Sequence, residues 1–109
     1  MKKGGFCRFA RRLYWGDSVK NHHLVKWKLL FGSGQFNIFC VTKPMNDGDQ
    51  LDIIHCAFLK QKYYQYHPVL IYGIASGYDE ALDLVIRISQ DASFAGMDGK
   101  LLDYLASLQ

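Results

Sequence analysis

The spacing of apolar positions changes along the chain, and the change sorts it into strands and helices. From Val69 to Ala75 the apolar residues run almost unbroken, rich in β-branched side chains, between Pro68 and Ser76-Gly77. A short run of that kind predicts a largely buried strand. Beyond Gly77 the spacing lengthens to three and four. Tyr78, Ala81, Leu82, Leu84, Val85, Ile88 and Ala92 fall on one side, with Asp79, Glu80, Asp83, Arg87, Gln90 and Asp91 on the other, which predicts an amphipathic helix from Tyr78 to Ala92. Ser76 offers an N-cap with Asp79 three residues on, and Asp79 and Glu80 place negative charge on the positive end of the helix dipole. A strand followed by the helix that packs on it is the unit around which the rest is organised.

Upstream, Met1 to Gly5 has no period and is expected to be a frayed basic tail. Arg11 to Trp15 suits a short strand or the end of a helical turn. Gly16-Asp17-Ser18 then breaks the chain and offers Asp17 or Ser18 as a cap. Two readings compete from Val19 to Phe31. Val25, Trp27, Leu29 and Phe31 alternate with Lys26, Lys28 and Leu30 at strand period, but the upstream cap, the cations near the end and Gly32 as a stop all fit a helix. The end signals tip the balance to the helix.

Phe36 to Thr42 is β-branched and aromatic, closed by Pro44, and predicts a strand. Gln50 to Cys56 predicts another, antiparallel to it because the polar loop between them is too short for a crossover. Ala57 to His67 holds one or two helical turns, with Phe58, Leu59, Tyr63 and Tyr66 at helical spacing. Last, Asp98 is placed to cap a helix from Gly99 to Leu108 whose Leu101, Leu102, Leu105 and Leu108 form an apolar side, with Met97 stapled onto Leu102. The sum is one α+β domain over residues 1–109, with a three- or four-stranded, mainly antiparallel sheet covered by helices on one face. If Val19–Phe31 is helical, the order also contains a ferredoxin-like split β-α-β.

Composition adds limits. The chain has 109 residues, half of them hydrophobic, enough for one core and unlike a disordered chain. Arg8, Arg11 and Arg12 interrupt any signal-peptide core, and no apolar run reaches spanning length, so a cytosolic protein is expected. Cys7, Cys40 and Cys56 form no Cys-x-x-Cys pair and read as reduced, buried thiols. The net charge of +3 hides a gradient. Residues 1–28 hold eight of the thirteen Lys and Arg against one acid, a balance of +7, and the remainder carries five bases and nine acids, a balance of −4. That asymmetry suits an anionic partner, or a basic face meeting an acidic one within the fold.

Candidate chemistry is sparse. Gly73-Ile-Ala-Ser-Gly77 stands between strand and helix like a phosphate loop, but lacks a Gly-Lys-Ser/Thr and is followed by two acids, so ordinary capping is the better reading. His22, His23, His55, His67 and the three cysteines show no zinc-ligand spacing. A small Cys/His enzyme built on Cys40 or Cys56 would need a base, an oxyanion loop and an orienting partner, none of which is marked. Asp52 shares a strand face with Ile54 and Cys56, as a water-facing edge residue or as a buried carboxylate. No catalytic residue, cofactor or metal is expected.

The clearest surface pattern interleaves cations and rings: Arg8, Arg11, Arg12, Tyr14 and Trp15, then Lys60, Lys62, Tyr63 and Tyr64. Such a surface suits an anionic partner, with Lys and Arg on phosphates and rings stacked on unpaired bases. Seven Tyr and seven Phe also exceed what one small core readily hides, and exposed aromatics mark protein interfaces, homodimers among them. Gly73 to Val85, preceded by Gln50-Leu-Asp-Ile-Ile-His and Lys60-Gln-Lys-Tyr-Tyr, resembles short bacterial proteins of about this size. The resemblance implies a bacterial cytosolic domain and no particular activity. The sequence therefore points first to an interaction module that pairs with a protein or with itself, and second to a nucleic-acid binder; no membrane partner is expected.

Overall fold

Val69–Ser76 (here β4) is the centre of the sheet, and its position explains its composition. The computed structural model describes residues 7–30, 37–44, 50–60, 66 and 68–109, with Lys60 described in its backbone alone. Among these, β1 (Cys7–Trp15), β2 (Ile38–Thr42) and β3 (Asp52–His55) join β4 in one sheet of order β1-β4-β2-β3. β4 is parallel to β1 and antiparallel to β2, and β2 is antiparallel to β3. Flanked on both edges and covered on both faces, β4 has to be apolar on both sides. Ile71 and Ile74 face one layer, and Tyr72 and Ala75 the other.

The helices lie on both faces of that sheet, not on one. α1 (His22–Leu30) and a 3-10 helix (Cys56–Lys60) cover the first face, where Val25, Leu29 and Leu59 pack with Cys7, Ile38, Cys40 and Ile74. α2 (Tyr78–Phe94) and α3 (Leu101–Ser107) cover the second, where Ala81, Leu84, Ile88, Leu101 and Leu105 meet Val41 and Ala75. The sheet is mainly antiparallel, as expected, but its β1–β4 pair is parallel. The connection β1-α1-β2 joins strands that flank β4 and run opposite ways, whereas a split β-α-β joins parallel ones. β1 also carries a bulge: five steps from Phe9 to Tyr14 match two from Ile71 to Gly73.

α1 takes the helical reading because only Val25 and Leu29, four apart, are buried, while Trp27 between them is 60% exposed. It starts later than Asp17 or Ser18 would set it. Asn21, at φ 52, turns the chain, its carbonyl oxygen accepts from the Val25 N–H, and its side-chain oxygen accepts from Leu24. The start of α2 is also displaced by one residue from the expected cap, to Gly77, and no side chain caps it there. At its end, Gly96 at φ 78 lets the N–H groups of Gly96 and Met97 bond back to Ser93 and Ala92, the Schellman closure. Met97 thus closes α2. Asp98 does not cap α3, since Gly99 and Lys100 intervene; the Leu101 N–H bonds the Gln50 side-chain oxygen at 3.1 Å instead. The basic tail, Phe31 to Phe36, most of the Pro44–Asp49 loop, and Lys62, Tyr63 and Tyr64 lie outside the described residues.

Candidate interaction surface

The sequence of α2 gives it three distinct sides. Ala81, Leu84, Ile88 and Ala92 are fully buried against the sheet. On the β1 flank, both oxygens of Glu80 are used, one accepting the Ser76 N–H at 2.8 Å and the other the Ser18 N–H at 2.9 Å. Burial works to raise the Glu80 pKa, but the N–H groups of Ser76 and Ser18, the Ser18 hydroxyl and the charge of Arg87 together hold it below its ordinary value. Further along that flank the Tyr14 hydroxyl donates to Asp91 at 2.6 Å and lies 3.4 Å from the Tyr104 hydroxyl. Burial, then these two neighbours, push the Tyr14 pKa up.

The opposite flank of α2 faces β2 and β3. Tyr78 meets Phe39 edge to face at 5.8 Å, and Phe39 meets His55 in the same manner at 5.0 Å. Helical spacing puts Val85, Tyr78, Ser89, Leu82, Ser93 and Ile86 on this side, and none of the six is charged. Tyr78 is 51%, Leu82 39% and Ile86 55% exposed. Leu51 and Ile53, half-buried, pack beneath against the same cluster as α2. The result is an uncharged shelf between α2 and the edge strand β3.

The two sheet edges differ. β1 is bulged, bears exposed Arg8, Arg11 and Arg12, and its Arg11 N–H is taken by the Gln109 side chain. These are ordinary ways of blocking an edge. β3, Asp-Ile-Ile-His, pairs with β2 in unbroken register, and among the described residues no strand lies on its outer side.

The basic and aromatic residues singled out from the sequence are divided by this fold. Tyr14 leaves β1 toward α2 and α3, where its hydroxyl is engaged. Trp15 points to the other face and stacks on His22, with ring centroids 3.7 Å apart and planes 2° from parallel. Lys26 lies over the Phe9 ring at 5.1 Å. The cations Lys20, Lys26 and Lys28 sit on or beside α1, and Asp79, Glu80, Asp83, Asp91 and Asp103 belong to the helices of the opposite face, so the charge gradient runs across the sheet. The sequence reading missed Trp27 and Phe94, the latter 91% exposed. Trp27 was hidden by an alternation that resembles a buried strand.

The three cysteines converge under α1 and the 3-10 helix as free, buried thiols. Burial pushes the Cys7 pKa up to about 12; burial, then the neighbouring Cys7 and Cys56, raise that of Cys40 well above the usual thiol value. Protonated thiols are poor nucleophiles. His55 Nδ1 stands 4.0 Å from the Cys56 sulfur and already accepts the Ala57 N–H at 3.0 Å. Among the described residues no group of three His, Cys, Asp or Glu could hold a metal ion. Asp52 is the half-buried first residue of an edge strand. Gly73 lies within β4, inside the strand expected from Val69 to Ala75, where a Cβ would stand 3.1 Å from Leu84. No helix among the described residues is long and apolar enough to cross a membrane.

Comparisons place the chain in no group. No family model matches it, and neither the curated proteins nor the solved structures yield a match, so the likeness to short bacterial proteins gains no support and the geometry alone carries the reading of function.

Proposed function

We propose that this chain is a protein-recognition module of the cytosol, acting by binding and not by catalysis, with the shelf between α2 and β3 as its contact surface. The observation that carries the reading is the run Tyr78, Leu82, Ile86: three large apolar residues, each more than a third exposed, on a flank with no charge. Removing such a surface from water is the main driving term of protein association. The three free thiols fit a reducing compartment. A photo-crosslinking residue at position 86 should give a covalent protein adduct in cells, and the same residue at Asp83, outside the uncharged flank, should give none. Absence of any adduct from position 86, or equal adducts from both, would sink the reading.

A second reading, binding of single-stranded nucleic acid, is favoured by α1. That helix has no acid, and its exposed Trp27 stands between Lys26 and Lys28. Anisotropy of labelled oligonucleotides should then show binding that weakens steeply with salt and is reduced by Trp27→Ala. Binding unchanged in that variant would remove α1 as the surface.

A further inference from the structure

Resting on the reading of the α2–β3 shelf as a contact surface, we infer that its occupant is a second copy of this chain. In that assembly β3 pairs antiparallel with the β3 of the partner subunit across a two-fold axis, joining two four-stranded sheets into one. Three observations lead there. First, the edges are unequal: β1 is closed by a bulge, arginines and the Gln109 side chain, while β3 is in unbroken register and, among the described residues, has no strand on its outer side. An unblocked edge is a template for another strand, and an antiparallel copy is the partner a two-fold axis supplies. Second, the shelf above that edge can meet itself. A surface facing its own copy places like charges together, and Tyr78, Leu82, Val85, Ile86, Ser89 and Ser93 offer none. Ser89 and Ser93 are small and allow the two helices to approach. Third, one movement satisfies both needs, because the uncharged flank of α2 is the one turned toward β3, as the contacts from Tyr78 through Phe39 to His55 show.

The register is restricted. A two-fold axis normal to the sheet leaves each face on its own side, so residues facing α2 pair only with residues facing the partner's α2. Ile53 and His55 lie on that face; Asp52 and Ile54 lie on the other. The pairing must then centre on a residue, either Ile53 opposite the partner's Ile53 or Ile54 opposite the partner's Ile54. A register centred between the two would bring opposite faces together.

The test is sedimentation equilibrium of the full chain through the micromolar range, with amide exchange measured at low and high concentration. The expected mass at high concentration is twice 12.5 kDa. Ile86→Lys, a change at an exposed position, should weaken the pair at least tenfold while leaving unchanged the unfolding midpoint measured at concentrations where the chain is monomeric. Amides of β3 should gain protection as concentration rises, and those of β1 should not. A chain that stays at 12.5 kDa, a dimer indifferent to Ile86→Lys, or β3 amides that ignore concentration each overturns the inference. Monomer mass together with an adduct from position 86 to a different protein would remove the second copy and leave the recognition surface standing; monomer mass with no adduct would remove both.

Discussion

The Glu80 carboxylate occupies the space that a side chain at Gly16 would need. A Cβ built on Gly16 collides with Oε1 and Cδ of Glu80, so a side chain there has to push the carboxylate out of its place. The turn is held as well by the Gly16 N–H donating to the Ile74 oxygen at 2.8 Å. β1, β4 and α2 are thereby fastened at one corner by a single carboxylate.

Gly16→Ala should therefore destabilise the chain although position 16 looks like an ordinary turn. The new methyl displaces Glu80 from the Ser18 and Ser76 N–H groups, and losing two charge-assisted but partly exposed bonds costs about 2 kcal/mol. Chemical denaturation measures it. A loss no greater than that of Ser18→Ala would show that the carboxylate simply moves aside.

Glu80→Gln separates charge from shape. The folded state holds the Glu80 pKa below its ordinary value of 4.5, so its contribution is fully present above that pH and disappears as pH falls through the lower folded value. The wild type should exceed the Gln variant by about 1 kcal/mol near neutrality, with the gap closing in acid. A gap that persists at acidic pH would mean that the charge has no part in it.

Much of the frame was legible in the sequence, because period and turn chemistry are local. β2, β3, β4 and α2 were all marked by their own residues. What was missed depends on distant partners. Gln50 was read as the start of a strand, and nothing near it says that its side chain reaches Leu101. Glu80 was read as a favourable dipole charge, while its second bond, to Ser18, spans 62 positions. The length of β1 is set by β4 and not by an alternating pattern of its own, since the bulge breaks that pattern at Arg11 and Arg12. That α1 covers the first face, apart from α2 and α3, was missed because strand order is not written in any one segment. Of the candidate surface, Tyr78 and Leu82 were assigned to the apolar side of α2, but the sequence does not say where core ends and exposed flank begins.

Tyr14→Phe should cost about 1 kcal/mol through loss of the bond to Asp91, and the cost should depend on pH on the alkaline side. Folding raises the Tyr14 pKa above its ordinary 10.0, so the stabilisation is complete below pH 10 and is lost as pH rises beyond it. The difference in unfolding free energy between wild type and variant should be flat from neutrality to that point and then shrink. Tyr72, raised by burial and eased by Arg8, contributes in the same range, but it is present in both proteins and cancels. A gap that stays constant far above pH 10 would contradict the bond seen between Tyr14 and Asp91.

The thiol cluster should be silent in the folded state. Raising the Cys7 pKa from 9.0 to about 12 lowers its thiolate fraction about a thousandfold, and Cys40 is fully buried besides. An aromatic disulfide reagent at neutral pH should therefore label Cys7 and Cys40 only as fast as the chain opens. The rate should rise with denaturant in step with the population of open molecules, as thiol access tracks opening free energy. Mass spectrometry of partly labelled protein assigns the sites. Rapid labelling of Cys40 in native buffer would instead make it an accessible, activated thiol, and would return the Cys/His chemistry that its burial argues against.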